Sequence, residues 1–305
     1  MNWRPNSVIK PDSHYVGRFA PSPTGPLHFG SAVAAVASYL QARSSGGHWL
    51  VRIEDIDPPR ESEGASAAIL KALVALGLEW DGEVLYQSHM SEAYDEALAQ
   101  LRNTGSSFPC ACTRKQLRGS PYPGTCREGL APGSVGRSTR VRVDHSEIKF
   151  LDELQGSYSQ RLDKEVGDFI LRRADRLYSY HLAVVVDDAA AGITEIVRGV
   201  DLLDSTPRQI YLQKLLGLYT PQYVHIPVVL NDRGAKLSKQ TFAHPIDPHS
   251  THRVLCEALR FLGQRLPPGM IDAKTDEIIK WALANWDLSA VGRVSRAHAA
   301  TDFIH

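Results

Sequence analysis

Residues 15–57 read YVGRFAPSPTGPLHFGSAVAAVASYLQARSSGGHWLVRIEDID, and this stretch decides the fold. Residues 15–19 predict a short strand, and the prolines and glycine at 21–26 predict a turn-rich loop. Residues 31–43 are rich in Ala, Val and Leu on every face, which is typical of a buried helix. Residues 48–54 predict a buried strand. A strand, helix and strand in this order form a βαβ unit, so we predict an α/β fold with a parallel sheet.

The rest of the chain continues this alternation with one interruption. Periodicity is lost between residues 106 and 150, where Cys, Pro, Gly and Arg increase, and this change indicates an insertion. We predict a first half of the parallel-sheet domain at 1–105, an insertion at 106–175, a second half at 176–240 and a small helical C-terminal region at 241–305. The predicted helices are 62–76, 91–102, 207–217, 253–262 and 275–286, and the further predicted strands are 169–173, 180–187, 193–199 and 225–230.

Composition limits the classes of function that the protein could have but does not identify the function. The chain has 305 residues, 43% hydrophobic and 22% charged, as expected for a folded protein with a sizeable core. Its 34 basic and 34 acidic residues cancel, so only a local patch could argue for nucleic-acid binding. No apolar run approaches the roughly 18 residues of a membrane span, and residues 1–14 lack the apolar core of a secretory signal. With four cysteines and no export signal, we expect a cytoplasmic protein without membrane contacts.

Two distant segments carry the groups that hold a nucleotide triphosphate. In the first, His28 and Gly30 stand at the predicted start of a helix, where backbone N–H groups and the helix dipole favour phosphate. In the second, KLSKQ, the residues Lys236, Ser238 and Lys239 put two cations and a hydroxyl in a predicted loop. A site for a nucleotide triphosphate needs both kinds of group, backbone donors at a helix start and positive charge that closes over the phosphates. We therefore predict that these five residues form an ATP site.

These segments resemble the HIGH and KMSKS signatures of class I aminoacyl-tRNA synthetases, in the form used by the glutamyl and glutaminyl enzymes. The first stands here as HFGS at 28–31, with serine in place of the second histidine, and the second is KLSKQ at 236–240. Residues 51–57 and 180–201 match two further blocks of the glutamyl branch, in the same order. The resemblance covers about residues 15–240. It implies a Rossmann-like catalytic domain that uses ATP with Mg²⁺.

Glutamate presents two carboxylates and one ammonium, so its pocket needs one anion and at least two cationic or hydroxyl donors. In the matching blocks, Glu54 would hold the ammonium, Arg18 and Arg198 would divide the carboxylates, and Tyr180 would donate a hydrogen bond. The sequence leaves open which arginine holds which carboxylate. It also leaves open a purely structural ion pair between Glu54 and Arg198. The loop residues that the resemblance adds to the glutamate site are Phe19, Ala20, Pro21 and Ser22.

Three cysteines cluster in the insertion, at Cys110, Cys112 and Cys126. Thiolates suit tetrahedral zinc, and an oxygen or nitrogen donor can fill the fourth position. The family pattern has Tyr122 as this fourth ligand, and His145 is the chemical alternative. We expect one structural zinc ion that holds together an insertion with few apolar residues. Reduced thiols without a metal are the competing interpretation.

Only residues 241–305 follow the lysine segment, where full glutamyl-tRNA synthetases carry a large anticodon-binding region. With this short C-terminal region, the chain resembles a truncated glutamyl-type branch of the family. That branch activates glutamate without tRNA and esterifies it onto queuosine, the modified wobble base of aspartate tRNA. We expect that activity, in a monomer whose partners are L-glutamate, ATP and this tRNA. The alternatives are a glutamyl-tRNA synthetase lacking its own anticodon-binding domain, and a catalytically silent paralogue that binds RNA or senses glutamate. The candidate RNA contacts are Arg140, Arg142, Arg172, Arg173, Arg253, Arg260 and Arg265.

Overall fold

The computed structural model describes residues 14–113, 115–117, 121–230, 246–247, 250–293 and 296–298. Within these ranges no helix combines the length and the apolar character that crossing a bilayer requires. The strands are β1 (Val16–Phe19), β2 (His48–Ile53), β3 (Leu85–Tyr86), β4 (Ser107–Cys110), β5 (Ser138–Val141), β6 (Glu147–Asp152), β7 (Gly156–Arg161), β8 (Ile170–Arg172), β9 (Glu195–Gly199), β10 (Gln222–Ile226), β11 (Val228–Leu230) and β12 (Arg296–His298). The helices are α1 (Phe29–Ser44), α2 (Ala65–Ala75), α3 (Ser91–Asn103), α4 (Leu162–Glu165), α5 (Tyr180–Ala190), α6 (Thr206–Leu216), α7 (Thr251–Phe261) and α8 (Thr275–Asn285).

The central sheet is parallel, as the first βαβ unit predicted. β1 pairs with β2, β2 pairs with β3, and β9 pairs with β10, all in parallel. The two halves meet where the Val16 N–H donates to Thr194 Oγ1 at 2.8 Å and the Thr194 N–H donates to the Val16 carbonyl oxygen at 2.9 Å. The strand order is therefore β3-β2-β1-β9-β10, with a switch point between β1 and β9. In sheets of this kind, ligands bind at the carboxyl ends of the strands beside the switch point.

Helices cover both faces of this sheet. Successive residues of β10 point to opposite faces, so Tyr223 packs in one apolar cluster and Val224 in the other. The Val224 cluster includes α1, α2, α7 and α8, and the Tyr223 cluster includes α3, α5 and α6. Because α1 lies between the sheet and the C-terminal helices, it is apolar all round, and Ala32, Val36 and Leu40 are fully buried.

One strand prediction is wrong. Residues 180–187 (YHLAVVVD) form most of helix α5 instead of a strand. The Ser179 side chain caps this helix by accepting a hydrogen bond from the Leu182 N–H at 3.4 Å. Buried residues run without a break from Leu182 to Asp188, so the sequence shows no amphipathic pattern that could separate a helix from a strand. Packing of α5 against α3 and α6 overrides the strand preference of its valines.

Residues 106–175 form two antiparallel arrangements, and apolar residues such as Val141, Ile148 and Leu171 join them to the Tyr223 cluster. β4, β5 and β8 make a three-stranded sheet over a small cluster of Phe108, Cys110 and Cys126. The β6–β7 hairpin instead extends the central sheet, because Asp152 on β6 pairs in parallel with Tyr223 on β10. The division of the chain at 106 and 175 stays a prediction, but the hairpin brings this region directly to the edge of the main sheet.

Candidate active site

The residues predicted to bind glutamate gather at the carboxyl edge of the sheet, beside the switch point. Arg18 lies near the end of β1, Glu54 directly follows β2, Arg198 lies near the end of β9, and Tyr180 begins α5. Arg18 and Arg198 are only 4% and 5% exposed. Burial raises the pKa of Tyr180, and the charges of Arg198, Glu54 and Arg18 also act on it. The structure therefore brings the four predicted residues around one point.

Arg198 is held firmly and keeps one donor unused. Its Nε donates to His225 Nε2 at 3.0 Å, and its Nη2 donates to Thr206 Oγ1 at 2.8 Å. Its Nη1 is buried and has no hydrogen-bond partner among the described residues. No salt bridge joins Arg198 to Glu54 in the part of the chain that the structure describes, so the structural ion pair considered above does not form. A buried guanidinium N–H without a partner is costly, which makes Nη1 a donor suited to a ligand carboxylate.

His225 and Asp152 position this arginine, and the sequence analysis did not find them. Asp152 Oδ2 lies 2.6 Å from His225 Nδ1 and 3.1 Å from the His225 backbone nitrogen. The Nδ1 proton therefore faces the carboxylate, and Nε2 is left as the acceptor that Arg198 needs. Burial lowers the pKa of His225 despite the nearby carboxylate, which keeps the imidazole neutral. The only available signal was a histidine inside the apolar run HIPVVL.

A buried carboxylate that had no assigned role, Asp188, holds Arg18. Arg18 Nε and Nη2 donate to Asp188 Oδ1 and Oδ2 at 3.1 and 3.4 Å. Arg52 Nη1 donates to the same Oδ1 at 2.5 Å, and Arg52 Nη2 lies 3.4 Å from Glu54 Oε1. Burial alone would raise the pKa of Asp188, but Arg18 and Arg52 hold it below its usual range. Two of the four predicted glutamate-binding residues are thus linked through Arg52 and Asp188.

Asp187 completes this charge cluster on the other side of Arg52. Tyr94 donates its hydroxyl to Asp187 Oδ1 at 2.8 Å, and Gln87 Nε2 donates to Oδ2 at 2.6 Å. Burial raises the pKa of Asp187 to about 6. Burial also raises the pKa of Glu54, against the attraction of the arginines. Of the three carboxylates, Glu54 is the one that lines the neighbouring cavity, so it is the one placed to meet a ligand ammonium.

The loop after β1 fixes the entrance to this site. Phe19 packs in the apolar core, so its contribution to a glutamate site would come from its backbone. The Pro21 carbonyl oxygen accepts a hydrogen bond from the Glu54 N–H at 3.0 Å, which ties the loop to the end of β2. Ala20, between Phe19 and Pro21 in the chain, is partly buried, and Ser22 lines the cavity described next.

A cavity of about 870 Å³ opens beside these residues. Its lining includes Glu54 and Tyr180 from the sheet edge, and Tyr122 and Arg140 from the insertion. The volume lies within the range of small-molecule sites. The cavity therefore joins three of the predicted glutamate residues, Ser22, Glu54 and Tyr180, to the cysteine-containing region in one space.

The start of α1 is built as the first signature predicted. His28 is the N-cap residue, and its Nδ1 accepts a hydrogen bond from the Ser31 N–H at 3.3 Å. The Ser31 hydroxyl lies 3.0 Å from His28 Nε2, so the serine that replaces the second histidine contacts the first. Gly30 is the second residue of this helix. These positions place His28 and Gly30 where backbone donors and the helix dipole favour an anion.

The segment with the two lysines lies outside the described residues, as do Lys236, Ser238 and Lys239 themselves. Its described neighbours on both sides contact α1 or the chain just before it. The Ile246 N–H donates to the Leu27 carbonyl oxygen at 3.0 Å, and β11, which precedes the segment, contacts α1. The role of the three residues in ATP binding stays a prediction.

The cysteine cluster fits a tetrahedral metal ion. The Sγ atoms of Cys110, Cys112 and Cys126 lie within 4.8 Å of one another, with Cys112 and Cys126 at 3.6 Å. The Tyr122 hydroxyl oxygen is 3.5 Å from Cys110 Sγ and 3.7 Å from Cys112 Sγ. Ligands about 2.3 Å from a tetrahedral zinc are about 3.8 Å apart, so three thiolates and one phenol oxygen suit it. His145 instead contacts Asp163 at 2.9 Å, and its side chain is 90% exposed.

Arg140 supports this cluster from beside it. Its Nε donates to Cys110 Sγ at 3.4 Å, and its guanidinium lies 4.1 Å from the centre of the Tyr122 ring. Burial would raise the pKa of Cys110, but hydrogen bonds from Tyr122, the Cys112 backbone and Arg140 lower it to about 7. A thiol with this pKa is readily converted to the thiolate that a metal needs. Among the described residues, this is the group of side chains suited to hold zinc.

We expect purified protein to contain about one zinc ion per chain, and Cys126→Ser to contain less than about half of that. The physical reason is that a hydroxyl is a poorer zinc ligand than a thiolate. Cys256→Ser is the matched control, since Cys256 is buried in the main core, away from the cluster. Elemental analysis after gel filtration gives the stoichiometry. Wild-type protein with less than half a zinc ion per chain would contradict the metal site.

The candidate RNA contacts differ in exposure and in their partners. Arg140 is buried and bonded to Cys110 and the Asp168 carbonyl oxygen. The others are at least partly exposed, and they are Arg142, Arg172, Arg173, Arg253, Arg260 and Arg265. Four of these pair with carboxylates, and they are Arg142, Arg172, Arg173 and Arg260.

Comparison with known proteins agrees with this geometry. Residues 15–122 and 132–266 match the family model described as tRNA synthetases class I (E and Q), catalytic domain. The chain is 53% identical over 294 residues to the Glutamyl-Q tRNA(Asp) synthetase of Dechloromonas aromatica, which covers 93% of this chain and 98% of that protein. It is 51% identical over 283 residues to the Glutamyl-Q tRNA(Asp) synthetase of Pseudomonas aeruginosa PAO1, with 92% and 96% covered. The chain belongs to this class I synthetase family, in the branch of the Glutamyl-Q tRNA(Asp) synthetases.

Solved structures give the same fold. A glutamate tRNA ligase from Elizabethkingia meningosepticum, solved in complex with its amino acid, superposes with a TM-score of 0.80 at 24% identity. The match covers 96% of this chain and 68% of that one. The Glutamate-tRNA Synthetase of Elizabethkingia anophelis matches with a TM-score of 0.79, also at 24% identity, covering 96% and 69%. The α/β fold with a parallel sheet predicted from residues 15–57 is therefore confirmed.

Proposed function

We propose that this protein activates L-glutamate with ATP, without tRNA, and transfers the glutamyl group to the cyclopentenediol of queuosine at the wobble position of aspartate tRNA. One observation carries the proposal: an unpartnered Arg198 Nη1, a cavity-lining Glu54 and the Tyr180 hydroxyl converge at the carboxyl edge of the sheet. This donor and acceptor set suits an amino acid with a second carboxylate. The name printed for the relatives, Glutamyl-Q tRNA(Asp) synthetase, supports the choice of acceptor.

In the first step, Glu54 accepts the substrate ammonium, and Arg198 and Arg18 pair with its carboxylates. The α-carboxylate attacks the α-phosphorus of ATP, an anhydride bond forms, and pyrophosphate leaves. His28 and the N-terminus of α1 donate to the phosphate oxygens, and Lys236 and Lys239 neutralise the charge that builds up. Mg²⁺ bound with ATP would supply further neutralisation. Glutamine lacks the second charge, so it would leave an arginine without its ion-pair partner, and the site rejects it.

In the second step, a hydroxyl oxygen of the cyclopentenediol attacks the carbonyl carbon of glutamyl-adenylate. An ester bond forms, AMP leaves, and the hydroxyl proton is released. The mixed anhydride is already activated, so the protein needs mainly to bring the two groups together. Zinc held by Cys110, Cys112, Cys126 and Tyr122 would be structural, fixing the insertion that shares the cavity. Because the proposed substrates are ATP and tRNA, we expect this activity in the cytoplasm, and we expect the protein to act as a monomer.

Mass spectrometry of the aspartate tRNA anticodon loop tests the proposal, after incubation with enzyme, ATP and glutamate. Queuosine-containing tRNA should gain one glutamyl group at the wobble base, and queuosine-free tRNA should not. Glutamate-dependent ATP–pyrophosphate exchange should proceed without any tRNA. Esterification of glutamate tRNA at its 3′ end would favour a glutamyl-tRNA synthetase instead. Absence of exchange would favour a silent paralogue.

A further inference from the structure

A second cavity, of about 490 Å³, is lined mainly by basic and small residues. Two hydroxyl side chains, Ser138 and Thr139, lie among the lining residues, and none of the described residues that line it is acidic. We name it the arginine groove after its four guanidinium groups, which belong to Arg137, Arg172, Arg173 and Arg176. A local concentration of positive charge in a chain of zero net charge attracts partners of opposite charge.

Two of these arginines are free of carboxylate partners. Arg137 and Arg176 are exposed, and neither forms a salt bridge within the described ranges. Arg176 adopts a φ of 72°, and it is the one non-glycine residue with positive φ in the part of the chain that the structure describes. The left-handed region is unfavourable for such a residue, and strain of this kind concentrates at functional sites.

The other two arginines are partly neutralised but not saturated. Arg172 Nη1 contacts Asp95 at 3.2 Å, and Arg173 contacts Asp175 at 2.6 Å and Asp57 at 3.3 Å. These side chains stay partly exposed, and a guanidinium has five N–H donors. Both arginines therefore retain donors for an anion.

The arginine groove adjoins the cavity of the proposed active site. Arg173 lines both cavities, and its partner Asp57 lines the larger one. A tight turn sets this arrangement, because the Arg173 N–H donates to the Leu177 carbonyl oxygen at 2.8 Å and the Arg176 N–H donates to the Arg173 carbonyl oxygen at 3.1 Å. A strand of RNA lying along the groove would thus have a neighbouring nucleotide at the mouth of the active-site cavity.

We propose that the arginine groove binds backbone phosphates of the RNA strand that carries the accepting nucleotide. The proposal rests on the proposed function for the identity of that RNA. Guanidinium groups match phosphate geometry with paired N–H donors. Phosphate contacts fix the register of a nucleic acid on a protein without reading its sequence, and positively charged grooves follow single strands in this way. Several arginines in a row suit a polyanion better than a single small anion.

The test compares Arg137→Ala/Arg176→Ala with a control that also removes two exposed positive charges, Lys71→Ala/Arg102→Ala. Neither control residue lines either cavity. The probe is queuosine-containing aspartate tRNA, with its dissociation constant measured by fluorescence anisotropy at several salt concentrations. We expect the groove variant to bind about tenfold more weakly, and the slope of log affinity against log salt to fall by about one to two. Glutamate-dependent ATP–pyrophosphate exchange should be unchanged in both variants.

Unchanged affinity and salt slope in the groove variant would overturn the proposal, and so would an equal loss in the control variant. The outcome is separable from that of the proposed function, because binding is measured without transfer. Wild-type protein that binds the tRNA through the groove but transfers no glutamate would refute the function and leave the groove intact. If the wild-type protein transfers glutamate and the groove variant has the same kcat/KM for tRNA, the proposed function stands and the groove is refuted.

Discussion

Arg198→Ala is expected to reduce glutamate-dependent ATP–pyrophosphate exchange by about 100- to 1,000-fold. The change removes the buried Nη1, which has no partner among the described residues, and with it the pairing to a substrate carboxylate. The chain should stay folded, which circular dichroism can check, because the hydrogen bonds of Arg198 within the described ranges go to neutral groups, His225 and Thr206 among them. Exchange at the wild-type rate in this variant would refute the assignment of the pocket.

Two variants of His225 complement this test, because they change the hydrogen bond that Arg198 Nε donates while the arginine itself is kept. A glutamine side-chain oxygen can accept the hydrogen bond from Arg198 Nε, whereas leucine cannot. We expect His225→Leu to raise KM for glutamate about tenfold, and His225→Gln to retain most of the affinity. KM for ATP should change little in either variant. Equal effects of both variants on glutamate and ATP would indicate a general loss of structure instead of a positioning role.

Asp188→Asn is expected to lower the free energy of unfolding by about 3–5 kcal/mol. Asp188 is buried and accepts hydrogen bonds from both Arg18 and Arg52, so a neutral side chain leaves two buried cations with less compensation. Glutamate-dependent exchange should also fall, since the same carboxylate orients Arg18. Urea denaturation followed by circular dichroism measures the stability.

Glu147→Gln is the control for this prediction. Glu147 pairs with Lys149 at 3.0 Å, but 40% of its side chain is exposed, so solvent screens the pair and its loss should change the free energy of unfolding much less. The two variants remove the same charge from the same kind of side chain in different surroundings. A loss below about 1 kcal/mol for Asp188→Asn, similar to the control, would contradict the inferred importance of the buried cluster.

The sequence predicted the frame of the fold well because apolar periodicity is local. The start of the chain from Tyr15 to Glu54 forms β1, α1 and β2 close to the expected bounds, and α6 and α7 also begin within two residues of the predicted starts. Periodicity failed at α5, where every face is buried and a run of valines has the same appearance in a helix and in a strand. The capping residue Ser179 was the local signal that indicated a helix.

The candidate site also contains residues that the sequence predicted and residues that it did not. Arg18, Glu54, Tyr180 and Arg198 were predicted from their chemistry and their place in matching blocks, and the structure brings them together. Their partners were not predicted, and some of them are remote in sequence: Asp188 lies 170 residues from Arg18, and His225 lies 27 residues from Arg198. A buried carboxylate or imidazole carries no local pattern that names its partner.

The sequence alone determined the parallel α/β frame, the residue types of a glutamate and ATP site, and the family of the chain, since these follow from short-range periodicity and from motifs that keep their spacing. Only the tertiary structure decided that Asp188 holds Arg18, that Asp152 and His225 leave Arg198 one free donor, and that Arg173 links two cavities. Such pairings arise where strands meet at the carboxyl edge of the sheet, and burial there strengthens each contact between charges.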